Sequence, residues 1–164
     1  MRLTIQSTST HTFVLMPLAV AAEQVMGRRR PHPAWSPLLV AGYLSHRWAG
    51  RYRLGRAGGP PGMSQGMPDR LVTTGPYGPT RNPMYLGHMI FLAGLAMVTR
   101  SPLALVAVAV HVPWFSRRVR RDEVRLRSEF GARYDEYCAQ VPRWIPGRAT
   151  PSRGVHGHPV KSAR

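Results

Sequence analysis

The sequence predicts an all-α integral membrane protein. The expected form is a bundle of about four transmembrane helices with a C-terminal cytoplasmic amphipathic helix. Three observations predict it. Residues 84–99 and 101–116 contain no Asp, Glu, Lys or Arg. Basic residues are segregated from these blocks, with 12 of the 23 Lys and Arg in 117–164 and six more in 47–83. Residues 117–139 carry an apolar stripe at helical spacing. The 164 residues suit one domain. A net charge of +16 points to nucleic acid or to an anionic membrane surface. Apolar blocks bordered by arginine select the membrane and argue against a nucleic-acid partner.

The elements follow in order. Apolar segments lie at about 12–26, 34–46, 84–99 and 101–116. Each is shorter than the ~20 residues that cross a bilayer upright. The first has an alternative reading as a signal peptide, because Ala19-Val20-Ala21 resembles a cleavage site, but its leading residues are polar with one Arg. A retained helix is the expectation. The second extends through Trp48 if Arg47 snorkels. The last two form a tight hairpin turned at Arg100-Ser101-Pro102; the alternative is two buried helices of a soluble bundle. The charge places 47–83 and 117–164 on the cytoplasmic side. Arg28-Arg29-Arg30 then falls outside, against the charge rule, so either the first segment does not fully cross or the larger basic regions override it. Residues 54–70 read as an irregular loop, and 147–164 as a disordered basic tail able to touch anionic lipid. The domain is expected over 1–146. One cysteine, Cys138, forms no internal disulfide and fits a packing role. No zinc-type spacing or phosphate-binding glycine loop is present, and no metal site is expected.

On the helix 117–139, Val119, Leu126, Phe130, Tyr134 and Tyr137 share one face, and Glu123 falls within it with Asp122 at its edge. A carboxylate on a packing face needs a partner. Arg81 is one candidate and a cationic ligand is another. Arg81 sits in Arg81-Asn82-Pro83-Met84-Tyr85-Leu86-Gly87, shortly after Gly75-Pro76-Tyr77 and directly before an apolar segment. Polar groups at such a boundary mark a functional site. The bland alternatives are an anchoring role for Arg81 and an interfacial role for Tyr85. His88 and His111 read as helix-packing hydrogen bonders. Trp114 and Trp144 read as interface markers.

These residues resemble the isoprenylcysteine carboxyl methyltransferase and phospholipid methyltransferase family of membrane enzymes. The family pattern of Gly-Pro-Tyr, Arg-His-Pro-x-Tyr-x-Gly, an apolar hairpin and Glu-Glu-x-x-Leu-x-x-x-Phe-Gly-x-x-Tyr-x-x-Tyr is matched over about 71–146. Here it reads Gly75-Pro76-Tyr77, Arg81 to Gly87, then Asp122-Glu123, Leu126, Phe130-Gly131, Tyr134 and Tyr137, ending in Val141-Pro142-Arg143-Trp144-Ile145-Pro146. Asn82 replaces the family's histidine and Asp122 its first glutamate.

The resemblance implies S-adenosylmethionine as methyl donor and a lipophilic acceptor, with a carboxylate, amine or hydroxyl as the methylated group. It implies cofactor contacts at Gly75, Tyr77, Arg81, Asn82, Pro83, Tyr85, Gly87, Asp122 and Glu123, and catalytic roles for Arg81 and Glu123. The chemistry suits these types: arginine forks onto a carboxylate, acids meet an ammonium or ribose hydroxyl, and aromatic faces meet a sulfonium. Asn82 hydrogen-bonds but carries no proton as a base. A carboxylate acceptor needs no base; an amine or hydroxyl does. The runner-up functions are a nicotinamide-dependent membrane reductase and a non-catalytic lipid-binding protein.

Overall fold

A computed structural model describes residues 7–28, 30–59 and 67–144. The expected tail 147–164, the closing Ile145-Pro146, the middle of the 54–70 loop, Arg29 and the first six residues lie outside the described residues. Among the described residues the fold is all helical, with no strand.

The chain starts with one helical turn, Thr8–Thr10, a π-helical stretch, His11–Leu15, and helix α1, Met16–Met26. Helix α2 spans Ser36–Ala57, α3 spans Pro83–Thr99, α4 spans Pro102–Phe130 and α5 spans Ala132–Gln140. Short 3₁₀ turns occupy Pro33–Trp35 and Gly75–Tyr77. Proline opens α3 and α4 within their first turns, where its missing N–H costs nothing. Arg100 ends α3 in the left-handed region at φ 47°. Ser101 then caps α4 by accepting from the Ala104 N–H at 3.0 Å. The hairpin therefore turns where the sequence predicts.

Helices α2 and α3 form the tightest pairing, and glycine permits it. A Cβ at Gly42 would stand 2.5 Å from the Phe91 backbone nitrogen, and one at Gly87 would stand 2.8 Å from the Gly42 carbonyl. Gly94 lies equally close to Leu38. The order of these contacts makes α2 and α3 antiparallel. Backbones that approach this closely pack by van der Waals contact and need small residues. One core cluster joins Val20 of α1, Leu95 of α3 and Ala104 of α4; a second joins Tyr134, Tyr137 and Val141, with Leu71, Leu126, Phe130 and Cys138 against it. Ser101 also hydrogen-bonds Glu23, fastening α1 to the hairpin.

Residues 54–57, expected in the irregular loop, are the last turn of α2. Two further expectations change. The helix drawn over 117–139 is two helices: its first half continues the fourth apolar segment as α4, and Gly131, at φ +51°, breaks the chain before α5. Glycine at positive φ after a helix is a stop signal. The second change concerns span. Among the described residues no helix is long and apolar enough to cross a membrane. Helix α3 has 17 residues, and the apolar part of α4 ends at Arg117.

Candidate functional site

The site forms where the segment 67–83, which includes the Gly75–Tyr77 turn, and the start of α3 meet α4 and α5. Its walls include Tyr77, Arg81, Asn82, Pro83, Met84 and Tyr85 from the first half of the motif. Asp122, Glu123, Leu126, Tyr134 and Tyr137 close it from the second half, and Arg53 and Arg70 also border it. The pocket is partly open to solvent, with a cavity volume of about 100 Å³. Most residues singled out from the sequence thus converge on one pocket.

Glu123 is buried, at 7% exposure. Arg81 Nη2 lies 3.4 Å from its Oε1, so the partner expected from the sequence is present. A second arginine shares the carboxylate. Arg143 donates from Nε to Oε1 at 3.0 Å and from Nη2 to Oε2 at 2.6 Å, a bidentate fork. Sequence reasoning missed Arg143, treating Val141–Trp144 only as part of the closing motif. The strap that carries it is stitched to the motif loop. The Arg81 N–H donates to the Pro142 carbonyl at 3.0 Å. Thr80 Oγ1 and Asn82 Nδ2 each donate to the Arg143 carbonyl at 3.1 Å. Asn82 therefore holds the strap in place. Hydrogen bonding to Glu123 is the chief cause that raises the Arg143 pKa above its ordinary value.

Asp122 has different company. Tyr85 Oη donates to its Oδ2 at 3.1 Å, and Arg118 Nε donates to the same tyrosine oxygen at 3.0 Å. Burial pushes the Asp122 carboxyl above the usual aspartate range, and the Tyr85 hydrogen bond opposes that shift. Three further tyrosines stay neutral. Burial pushes Tyr77 up to about 12, and it raises Tyr134 and Tyr137 further, with the Glu123 charge adding to Tyr134. Tyr137 Oη donates to the Tyr77 carbonyl at 2.6 Å, tying α5 to the Gly-Pro-Tyr turn.

Two expected contacts lie off the pocket wall. Gly75, at φ +60°, turns against the Tyr52 ring, and Gly87 faces α2. Both serve packing of the scaffold. His88 and His111 hydrogen-bond through Nδ1 to carbonyls one turn earlier, at 2.8 Å and 2.7 Å. Trp114 is exposed, and Cys138 packs against the α5 cluster. The buried Arg81 Nε has no hydrogen-bond partner among the described residues. A donor orphaned beside a pocket is a place for an anionic group. Among the described residues there is no cluster of three or more side chains that would hold a metal ion.

The comparison with known proteins bears on this constellation. A model of the phospholipid methyltransferase family matches residues 34–133. The chain belongs to the phospholipid methyltransferase family. Among curated relatives, protein-S-isoprenylcysteine O-methyltransferase B of Arabidopsis thaliana is 37% identical over 79 residues, which is 47% of this chain and 40% of the relative. Protein-S-isoprenylcysteine O-methyltransferase of Saccharomyces cerevisiae is 40% identical over 78 residues, covering 46% of this chain and 32% of the relative. The matched region thus spans about two fifths or less of these relatives. No solved structure matches. The matched region includes Tyr77, Arg81–Tyr85 and Asp122–Glu123, which the fold gathers around one pocket.

Proposed function

We propose that the protein is a membrane-embedded methyltransferase that uses S-adenosylmethionine and methylates a lipophilic acceptor. The observation that carries the reading is the buried Glu123 held by Arg81 in a tyrosine-walled pocket. Family membership and the names of the relatives support it.

The residues present suit the donor. The orphaned Nε of Arg81 offers a hydrogen bond to a carboxylate, and Asp122 offers an acceptor to an ammonium or hydroxyl. The rings of Tyr77, Tyr85, Tyr134 and Tyr137 offer faces to a sulfonium. When bound, S-adenosylmethionine supplies an electrophilic methyl group. The chain itself does the rest by orientation and exclusion of water. Arg81 and Arg143 both engage the Glu123 carboxylate, so Glu123 serves to hold the two arginines at the pocket. Asp122 receives a hydrogen bond from Tyr85, and its raised pKa suits it to take a proton if the acceptor is an amine or hydroxyl. The exposed apolar side chains Leu18, Val25, Val40, Leu44, Leu105 and Val110 give the bundle a surface suited to lipid. The chain then sits in the bilayer with its motif loops and C-terminal strap at the cytoplasmic side.

The test is transfer of labelled methyl from S-adenosylmethionine into the lipid fraction of membranes carrying the protein. Label should enter lipid with wild type and not with Arg81→Ala. Equal incorporation with and without the protein, in membranes where it is shown to be folded, would overturn the proposal.

A further inference from the structure

Helices α2 and α4 run in the same direction, since each is antiparallel to α3 in its close pairing or hairpin. Both carry the same surface sequence along that direction. On α2, Val40, Leu44 and Trp48 are exposed at 56%, 56% and 59%, and Arg51 follows on the same stripe. On α4, Val106, Val110 and Trp114 are exposed at 57%, 58% and 39%, and Arg117 and Arg121 follow, both exposed. In each helix a tryptophan separates the apolar part from the arginine three residues later. Spacings of three and four keep these side chains on one face.

Aliphatic residues, then tryptophan, then arginine is the order of a bilayer from hydrocarbon to headgroup. The exposed apolar stripe of α4 from Leu103 to Trp114 covers about 17 Å at 1.5 Å per residue. That is about half of the ~30 Å hydrocarbon core. The acids on the arginine turns do not offset the band, because Asp122 turns inward to Tyr85, and Glu123 to Arg81 and Arg143. The band lies at the level of the pocket, since Arg121 precedes Asp122 directly.

We propose that Arg51, Arg117 and Arg121 form a contact band for anionic phospholipid headgroups, which sets the pocket at headgroup depth. The proposal rests on the membrane part of the functional reading and not on methyl transfer. A nucleic acid would also meet the arginines, but it would leave the adjoining Val, Leu and Trp side chains in water. Lipid satisfies both parts of the stripe.

Flotation of the detergent-diluted full chain with vesicles tests this. Phosphatidylcholine vesicles, vesicles containing phosphatidylglycerol, and duplex DNA are the probes. Wild type should float with both vesicles and favour phosphatidylglycerol, less so as salt is raised. Replacing Arg51, Arg117 and Arg121 together with glutamine should weaken partitioning to phosphatidylglycerol on the order of 100-fold, at roughly fivefold per arginine. Partitioning to phosphatidylcholine should be unchanged, which also reports a folded variant. The corresponding lysine triple should behave as wild type. Equal wild-type binding to both vesicles, or an unaffected glutamine triple, overturns the band and leaves the membrane reading standing. Flotation with neither vesicle overturns both. Retention on duplex DNA above that on phosphatidylglycerol overturns the band in favour of nucleic acid.

Discussion

Replacing Glu123 with glutamine keeps the shape of the side chain and removes the charge that two arginines share. The structure divides the expected cost. The Arg81 arm is buried, with side chains 12% and 10% exposed at 3.4 Å. Taking away one partner of such a pair leaves an uncompensated buried charge, which costs about 3 kcal/mol. The Arg143 arm has better geometry, at 2.6 Å, but its arginine is 40% exposed. Solvent screens it, so that arm is worth about 1 kcal/mol at most. Glu123→Gln removes both arms and should therefore destabilise the fold by about 3–4 kcal/mol, a melting shift of roughly 6–16 °C for a chain of this size. Arg143→Ala should cost about 1 kcal/mol. Removing Arg81 as well, as Arg81→Met, should recover part of the Glu123→Gln loss, since the orphaned charge goes with it. Thermal unfolding of the detergent-solubilised protein, followed by helical circular dichroism, reads all of these. Costs of Glu123→Gln and Arg81→Met that add within about 0.5 kcal/mol would refute the pairing. So would an Arg143→Ala cost larger than that of Glu123→Gln.

Other outcomes follow from the same geometry. Gly42→Ala should destabilise by about 1–3 kcal/mol, because its Cβ meets the α3 backbone, and the melting temperature reads the loss. Tyr137→Phe should cost about 1–3 kcal/mol by leaving the buried Tyr77 carbonyl without its donor, again read by thermal unfolding. Asp122 has a folded pKa above its ordinary value of 3.8. The native state therefore holds its proton to higher pH than the unfolded chain, and the Asp122 contribution to stability falls as pH rises from that value through the folded pKa. Stability curves of wild type and Asp122→Asn across that window should differ by this fall, with the variant flatter. Identical slopes would remove Asp122 from the titration.

Much of the site was legible because its signals are local. Pro83 and Pro102 mark helix starts, and Arg100-Ser101 marks the turn, so the α3–α4 hairpin follows from short-range chemistry. Glu123 was legible because 100° per residue placed a carboxylate among Val119 and Leu126, where burial needs a partner. Tyr134 and Tyr137 are buried as the stripe suggests, although they lie on a different helix. The error was to read through Gly131, whose lack of a side chain permits the positive φ that ends α4. That error hid Arg143, because a chain helical to residue 139 gives no reason for the following strap to fold back onto Glu123. Gly87, which the resemblance places among the cofactor contacts, approaches Gly42 of α2 closely. Either use needs the missing Cβ, and sequence does not say which backbone arrives.

The measurement that tests the central claim most directly is S-adenosylmethionine binding to the detergent-purified protein by calorimetry, beside Arg81→Ala and Glu123→Ala variants that retain their helical signal. The account predicts saturable binding by wild type and its loss in both variants. Folded wild type that shows no binding, or variants that bind as wild type does, would contradict the assignment of this pocket to the methyl donor.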